Sequence, residues 1–460
     1  MGGAYLNANT RDNVYSHCGA EFGSRKGQIV LIRKALYGLA SSASAWWDHL
    51  ATSLRNIGFT NTSVDNDVWL KKIYDKNSNF IGYDYICVHV DDFCVIGRDP
   101  HKYISALQKV YDIRHITPLN VGSDTTYYLG MDIRRLPYGK RGFRLAAKTY
   151  LKESFLEVER LIGKSLPKQK VPMPPNANYE VPSTPICNAN EHQLYRKLVG
   201  MLQWISELGR IDITYSARFL ARYTASPLRQ HLDGCLHVFG YLKQYPHFSL
   251  PIDASPMTSE EGTPIEIANV EGELAWLRKL YPTATEEISP SDPEPFWTGI
   301  PIKCYVDADW AGDLSMRRSV SGYIIYFGST PIIWSIKAKS RVESSTYSSE
   351  FAALKSALEE IKGVRIALRA FGVEVSEPTI VMCDNRSVVS NNVIAASTLK
   401  KRHVGIAYHM CREAVASNII CVHHLLSRHN RADILTKSLA SPTLHEHNSN
   451  IFRTGCDDLI

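Results

Sequence analysis

The chain has 460 residues and a net charge of +6, with 44% hydrophobic and 21% charged residues, values typical of globular protein rather than of a disordered segment. No apolar run is long enough for a bilayer span and no signal peptide is predicted, so membrane and secreted classes are not expected. The ten cysteines are scattered without a Cys-x-x-Cys pair, which argues against disulfide frameworks and zinc knuckles and favours a reducing, intracellular compartment.

The first part of the chain shows a strand pattern followed by a helix pattern. The apolar run Ile29–Ile32 predicts a short strand. Apolar residues between Ala45 and Leu54 recur at the spacing of one helix face, which predicts an amphipathic helix.

Two β-rich runs between Tyr85 and Gly97 flank an adjacent pair of carboxylates. The pattern predicts a hairpin with Asp91 and Asp92 at its turn. Aspartate in a turn is common. An adjacent pair without Gly or Asn, between two strongly apolar strands, favours metal binding instead.

The middle of the chain is mainly helical. A helix is predicted over Leu145–Glu157, and six prolines between 164 and 190 indicate a linker or extended arm. Apolar residues at helical spacing continue over Glu191–Tyr245. The acidic, proline-bearing stretch up to residue 300 indicates a spacer with one short helix near Leu274–Leu280.

Four acidic residues in the last third of the chain stand in matching contexts. Asp307 ends a strand pattern, Glu350 lies early in a helix pattern, Asp384 follows the next strand and Asp433 lies about one turn into the last predicted helix. A carboxylate beside a buried strand is costly unless it is paired or binds a metal. Taken singly, Asp307 and Asp309 could equally open a turn, and Asp433 could be an ordinary surface residue.

A zinc site is the alternative for the histidines near the end of the chain. His423 and His424 lie beside Cys421. The alternation along Ile420–Leu425 favours a strand, and the ligand spacing of a zinc site is missing.

Short motifs occur along the chain in a fixed order. His89–Asp92 is similar to the Tyr-Val-Asp-Asp box of reverse transcriptases. The other motifs are Leu36–Leu39, Tyr128–Ile133, Tyr195–Leu202, Asp212–Tyr215, Asp307–Asp313, Arg318–Tyr323, Ser344–Thr346, Glu350, Asp384–Asn385 and Ala432–Lys437. In this order they resemble the polyproteins of copia-like LTR retrotransposons over almost the whole chain.

The resemblance implies an α/β, multidomain chain: an α+β palm together with a ribonuclease H-like, mixed five-stranded sheet and its helices. The implied domains are 1–163, a partial reverse-transcriptase palm without fingers and first catalytic strand; 164–190, a proline-rich linker; 191–250, a helical thumb or connection; 251–300, an acidic spacer; 301–440, a ribonuclease H domain; and 441–460, a tail.

The resemblance also implies the site residues. The set Asp307, Glu350, Asp384 and Asp433 would hold two Mg²⁺ (or Mn²⁺) ions roughly 4 Å apart, with Asp309 as the alternative to Asp307. By the same resemblance, Asp91 and Asp92 would bind metal in the polymerase box, and Tyr5 would contact the sugar of the nucleotide.

The implied partners are an RNA–DNA hybrid and a nucleic acid template-primer, without a membrane, in a cytoplasmic virus-like particle with access to the nucleus. Three basic stretches could contact phosphates, or could equally be plain surface: Arg317–Arg318, Lys337–Arg341 and Lys400–His403.

The sequence therefore predicts a metal-dependent nuclease that cuts the RNA of RNA–DNA hybrids. Three departures weaken the polymerase half: His89 replaces Tyr, Ala40–Ser44 replaces Lys-Gln-Ala-Pro-Arg, and Ala4–Asn7 matches a motif whose aspartate would precede Met1. We expect a truncated polymerase domain that is inactive alone, with undetectable primer extension. The alternative is a decayed or co-opted nucleic-acid-binding remnant without catalysis.

Overall fold

The structure is a computed structural model that describes residues 3–119, 125–136, 142–175, 179–253, 255, 270–310, 318–339, 345–397, 399 and 404–453. Its sheets and helices confirm the predicted α/β class. Contacts group the chain into two compact units. The first comprises residues 1–118, 288–298 and 366–374, and the second comprises 119–287, 299–365 and 375–460.

The first unit contains a two-stranded ribbon, a four-stranded antiparallel sheet and two helices. Its elements are β1 (Asn9–His17), β2 (Ile29–Lys34), α1 (Ser42–Asn56), β3 (Thr60–Asn61), β4 (Val68–Tyr74), β5 (Phe80–His89), β6 (Asp92–Ile96) and α2 (Pro100–Gln108). The sheet order is β3-β4-β5-β6. As predicted, α1 buries one apolar face, with Trp46, Leu50 and Leu54 in a cluster that also contains Trp69 of β4.

The second unit begins with a small sheet and a group of helices. Their bounds are β7 (Thr126–Tyr128), β8 (Met131–Arg135), β9 (Phe143–Ala146), α3 (Lys148–Ile162), α4 (Ala189–Glu207), α5 (Thr214–Ala221), α6 (Arg229–Gln244) and β10 (Ser249–Ile252). Helix α4 starts at a reciprocal cap, in which Asn188 accepts from the Glu191 N–H at 3.0 Å and Glu191 accepts from the Asn188 N–H at 2.9 Å. The helix predicted from Leu145 begins three residues later, because Leu145 pairs with β8 and β10 within β9.

The rest of the second unit surrounds a five-stranded sheet. Its elements are α7 (Val270–Leu280), β11 (Ile302–Asp309), β12 (Val320–Phe327), β13 (Thr330–Ala338), α8 (Thr346–Ala370, of which residues 366–370 belong to the first unit), β14 (Thr379–Cys383), α9 (Arg386–Val393), α10 (Gly405–Ala416), β15 (Ile420–His424), α11 (Asp433–Thr436) and α12 (Ser441–Phe452). The strand order is β13-β12-β11-β14-β15. The first three strands are antiparallel, whereas β11, β14 and β15 are parallel, so the sheet is mixed as predicted.

One hydrophobic cluster includes the helices α3–α6 and the five-stranded sheet. It contains Tyr195 and Leu202 of α4, Tyr305 of β11, Tyr326 of β12 and Phe452 of α12. Residues 119–250 and the sheet therefore share packing within this unit. The domain boundaries predicted from sequence stay a prediction.

Two details near the end of the chain differ from the sequence prediction. Asp433 is the first residue of a four-residue helix rather than one turn into the last one. That helix ends because Lys437 is extended, with φ −147° and ψ 159°. The stretch assigned only to a tail contains α12, whose Leu444, Ile451 and Phe452 are buried because their spacing places them on one helix face.

Every cysteine that the structure describes is a free thiol. Within the described ranges, no helix combines the length and hydrophobicity needed to cross a bilayer.

Candidate metal centre

Asp307 lies on β11 and is almost fully buried, with 3% of its surface exposed. Its carboxylate accepts a hydrogen bond from the Thr436 hydroxyl, and Lys437 Nζ lies 3.8 Å from its Oδ2 atom. The strand continues to Asp309, two residues beyond Asp307, because β12 pairs with β11 as far as Asp309.

A glycine allows the short helix α11 to approach this strand. Gly322 of β12 is the pairing partner of Asp307. A Cβ atom at residue 322 would lie 2.8 Å from Leu435 Cβ and 2.9 Å from Thr436 Cγ2, too close for any other residue. The absence of a side chain therefore lets α11 bring Asp433 and Thr436 against the end of β11.

Asp384 stands directly after β14, at the junction with α9. Asn385 caps that helix by accepting hydrogen bonds from the N–H groups of Ser387 (3.1 Å) and Val388 (3.3 Å). From β15, His424 Nε2 donates to the Asp384 carbonyl oxygen at 3.0 Å. The backbone of Asp384 is thus held from two sides.

Glu350 is the fifth residue of α8, whose buried face is formed by Phe351, Leu354, Leu358 and Ile361 as predicted. Glu350 is itself buried, with 6% of its surface exposed. Its Oε2 atom has no hydrogen-bond partner among the described residues. A buried carboxylate oxygen without a partner fits a position that a cation would satisfy.

The structure brings the four acids together. Carboxylate oxygens of Asp307, Asp384 and Asp433 lie within 4.8 Å of one another. A carboxylate oxygen of Glu350, one of Asp384 and the Cys383 sulfur form a second group with the same limit of 4.8 Å. Because Asp384 belongs to both groups, the four carboxylates form one cluster. Asp309 is in neither group, so the geometry favours Asp307 of the two alternatives.

Burial and the charges of neighbouring acids raise the pKa of Glu350, Asp433 and Asp307. Burial, followed by the charges of Asp307 and Asp384, raises the pKa of Glu350 to about 9. Burial and the charge of Asp307 raise the pKa of Asp433 to about 7. For Asp307 itself, burial raises the pKa despite the opposing effect of Lys437. All-oxygen donors in a buried cluster of this charge fit a hard divalent cation such as Mg²⁺ or Mn²⁺.

Sequence reasoning missed Lys437, which lies in this cluster. Its Nζ atom is 3.0 Å from Asp433 Oδ1. Burial lowers its pKa, but the charges of Asp307 and Asp433 outweigh that effect and raise it. The spacing of four residues between Asp433 and Lys437 was a usable signal, since such residues are neighbours on a helix.

We expect Lys437→Met to bind Mn²⁺ about tenfold more tightly than the unmodified chain. The ammonium competes with a cation for Asp433 and Asp307, and a partly exposed ion pair contributes on the order of 1 kcal/mol. Isothermal titration of the full chain measures the affinity. Lys355→Met is the matched control. Lys355 Nζ lies 2.8 Å from Glu359 Oε1, and neither residue belongs to the two ligand groups. Equal or weaker Mn²⁺ binding by Lys437→Met would show that the lysine does not compete.

The aspartate pair of the first unit lies at a hairpin, but the turn residues are Val90 and Asp91. Asp92 opens β6 and pairs with His89. Val90 has a φ of 56°, a left-handed conformation that is costly for a β-branched side chain. Gly and Asn are the residues preferred at such a position, so the sequence did not indicate Val90 as a turn residue. The turn was therefore predicted at Asp91 and Asp92, one residue too late.

Tyr5 packs against the hydrophobic cluster of the first unit, which contains Trp46 and Trp69. Its ring centroid is 4.5 Å from that of Tyr37. Trp46, in that cluster, donates its indole N–H to the Val90 carbonyl oxygen at 2.7 Å. The polymerase roles assigned to Tyr5, Asp91 and Asp92 stay predictions.

The basic stretches are only partly described. Arg317, Ser340, Arg341 and Lys400–His403 lie outside the described residues. Lys339 is bound within the fold: its Nζ atom donates to the Ala352 carbonyl oxygen at 3.1 Å and to Ser356 Oγ at 3.2 Å. That lysine has a structural role.

Comparisons with known proteins give relatives but no family model, since none matches the chain. The chain is 26% identical over 455 residues to the retrovirus-related Pol polyprotein from transposon RE1 of Arabidopsis thaliana, covering 97% of this chain and 27% of the relative. It is 23% identical over 446 residues to the Pol polyprotein from transposon TNT 1-94 of Nicotiana tabacum, covering 94% and 29%. The chain thus spans about a quarter of the length of these relatives. The resemblance to copia-like retrotransposon polyproteins is confirmed.

Among solved structures, the crystal structure of LC11-RNase H1 in complex with RNA/DNA hybrid matches 29% of this chain and 93% of its own, at 17% identity and a TM-score of 0.25.

Proposed function

We propose that this chain, which resembles copia-like retrotransposon polyproteins, hydrolyses the RNA strand of RNA–DNA hybrids with divalent metal ions. The observation that carries the proposal is the convergence of Asp307, Glu350, Asp384 and Asp433 into one cluster, in which Asp384 is half-buried and the other three are buried. Burial, followed by the charges of neighbouring carboxylates, raises the pKa of Glu350 and Asp433, and cations between the carboxylates would allow all four to be charged.

In the proposed mechanism the four carboxylates would hold two Mg²⁺ or Mn²⁺ ions. Asp384 belongs to both ligand groups. Thr436 orients the Asp307 carboxylate through its hydroxyl, and Asn385 and His424 fix the backbone at Asp384. When bound, the ions would activate a water and stabilise the leaving 3′ oxygen.

The experiment that tests this function compares three duplexes with the full chain: an RNA–DNA hybrid, an RNA duplex and a DNA duplex. We expect the RNA of the hybrid to be cut with Mg²⁺ or Mn²⁺ and to remain intact with a chelator. Tight binding of the hybrid without cleavage in either metal would favour the binding remnant instead. The assignment of residues 1–163 as a partial reverse-transcriptase palm that is inactive alone also stays a proposal.

Metal affinity should increase with pH between about 6 and 9. The pKa of Glu350 is about 9 and that of Asp433 about 7, both above the ordinary values of 4.5 and 3.8. These groups therefore hold protons near neutral pH and must release them to bind a cation, so acid weakens binding and alkali strengthens it. Titration calorimetry with Mn²⁺ in buffers of different ionisation enthalpy counts the released protons.

The matched control for this prediction is Glu350→Gln, which has no proton to release at residue 350. It should release fewer protons per ion bound. An Mn²⁺ affinity that is independent of pH in the unmodified chain would contradict the raised pKa values.

A further inference from the structure

Cys383 places a thiol inside the acidic cluster. It is the last residue of β14 and is fully buried, directly before Asp384. Its sulfur, a carboxylate oxygen of Glu350 and a carboxylate oxygen of Asp384 lie within 4.8 Å of one another. Mg²⁺ does not need such a ligand, since it prefers oxygen donors.

The Glu350 carboxylate gives an independent indication of a ligand at this point. Only 6% of the surface of Glu350 is exposed. Its Oε2 atom lacks a hydrogen-bond partner within the described part of the chain. An acid buried to this degree without a partner is costly. A cation held between Glu350, Cys383 and Asp384 would remove that cost.

We propose that Glu350, Cys383 and Asp384 form a site for a thiophilic divalent cation, of the class of Zn²⁺ and Cd²⁺. Zn²⁺ accepts sulfur at about 2.3 Å and carboxylate oxygen at about 2.0–2.2 Å, with three protein ligands and one open position in many sites. Three donor atoms this close reach one such ion after small side-chain rotations. Thiolate donors select Zn²⁺ and Cd²⁺ over Mg²⁺.

The binding step involves no oxidation or reduction. As the sulfur–metal bond forms, the S–H bond of Cys383 breaks and its proton passes to the buffer. The Glu350 carboxyl group, which holds a proton near neutral pH, releases that proton to the buffer as well, and the Glu350 and Asp384 carboxylates then contribute oxygen donors. A cation bound here engages two of the four acids needed for hydrolysis, so it should inhibit the nuclease; this consequence alone rests on the proposed function.

Titration of the full chain with Cd²⁺, followed by the ultraviolet charge-transfer absorption of the cadmium–thiolate bond, tests the site directly. We expect Cys383→Ser to reduce the endpoint by one equivalent relative to the unmodified chain. Cys411→Ser is the matched control, because Cys411 is equally buried but on α10 and outside the group; its endpoint should be unchanged. In the unmodified chain, added Zn²⁺ should abolish the absorption of the Cd²⁺ equivalent that is bound through Cys383. Excess Mg²⁺ should leave that absorption unchanged.

An unchanged endpoint for Cys383→Ser would overturn the proposal. If that variant does not fold by circular dichroism, Glu350→Gln decides: it keeps every thiol and should weaken the tightest Cd²⁺ site at least about tenfold, because it replaces a charged ligand. Undiminished affinity would again overturn the site. The absorption band does not depend on cleavage, so a chain that binds Cd²⁺ at Cys383 but never cuts hybrid would contradict only the proposed function.

Discussion

Asp384→Asn should reduce cleavage of an RNA–DNA hybrid by at least about a hundredfold, the lower range for removal of one electrostatic group that acts directly in a reaction. Asp384 contributes to both ligand groups of the cluster. An amide has the same shape as the carboxylate but cannot supply the negative charge that holds divalent ions. Single-turnover cleavage of a labelled hybrid at saturating Mg²⁺ measures the loss.

Asp309→Asn is the matched control for this variant. Asp309 lies on the same strand as Asp307 but outside both ligand groups. Its cleavage rate should remain close to that of the unmodified chain. Hybrid binding should survive both substitutions, because basic side chains supply most of the affinity for phosphates. Equal losses in the two variants would show that general charge, rather than the cluster, determines the rate.

Arg210→Met should lower the free energy of unfolding by about 3–5 kcal/mol, because it leaves a buried carboxylate without its partner. Arg210 Nε and Nη2 donate to the two carboxylate oxygens of Asp212 at 2.9 and 2.6 Å, and both side chains are buried. The guanidinium also lies 5.3 Å from the ring centroid of Phe248. Denaturant unfolding of the full chain measures the change.

A surface pair in the same unit provides the control for this prediction. Arg218 Nη2 lies 3.0 Å from Glu207 Oε1, with both side chains about half exposed. Arg218→Met should cost no more than about 1 kcal/mol, because solvent screens the pair. Replacing both buried partners, with Arg210→Met and Asp212→Leu together, should recover much of the lost stability. A small effect of Arg210→Met alone would mean that water reaches Asp212.

Asp307, Glu350 and Asp384 could be found from the sequence because each stands beside a regular pattern of apolar residues, whereas Asp433 is predicted only from its place in the set. Asp307 and Asp384 follow apolar β-rich runs, and parallel strands bring such ends to one edge of a sheet. Glu350 lies near the start of a long helix with a clear apolar face. The contexts of these three residues depend on local periodicity, and local periodicity is what a single sequence conveys best.

The remaining details depend on tertiary packing that periodicity does not encode. The four-residue helix at Asp433 is too short for a helical pattern, and its position depends on the missing side chain of Gly322 in a distant strand. Val90 adopts a left-handed turn that its side chain disfavours. Nothing in the segment around Cys383 marks it as a neighbour of Glu350. The spacing between Lys437 and Asp433 is a local signal, but the proximity of Lys437 to Asp307 comes only from the fold.

Identification of the ends of the cleaved RNA tests the central claim most directly. The full chain is incubated with Mg²⁺ and a hybrid whose RNA strand carries a label, and the products are analysed for their termini. Attack by a metal-activated water with departure of the 3′ oxygen predicts 3′-hydroxyl and 5′-phosphate ends on the RNA alone, with an intact DNA strand and no product in Asp384→Asn. Cyclic 2′,3′-phosphate ends, cleavage that persists in Asp384→Asn, or hybrid that is bound but never cut would contradict the account.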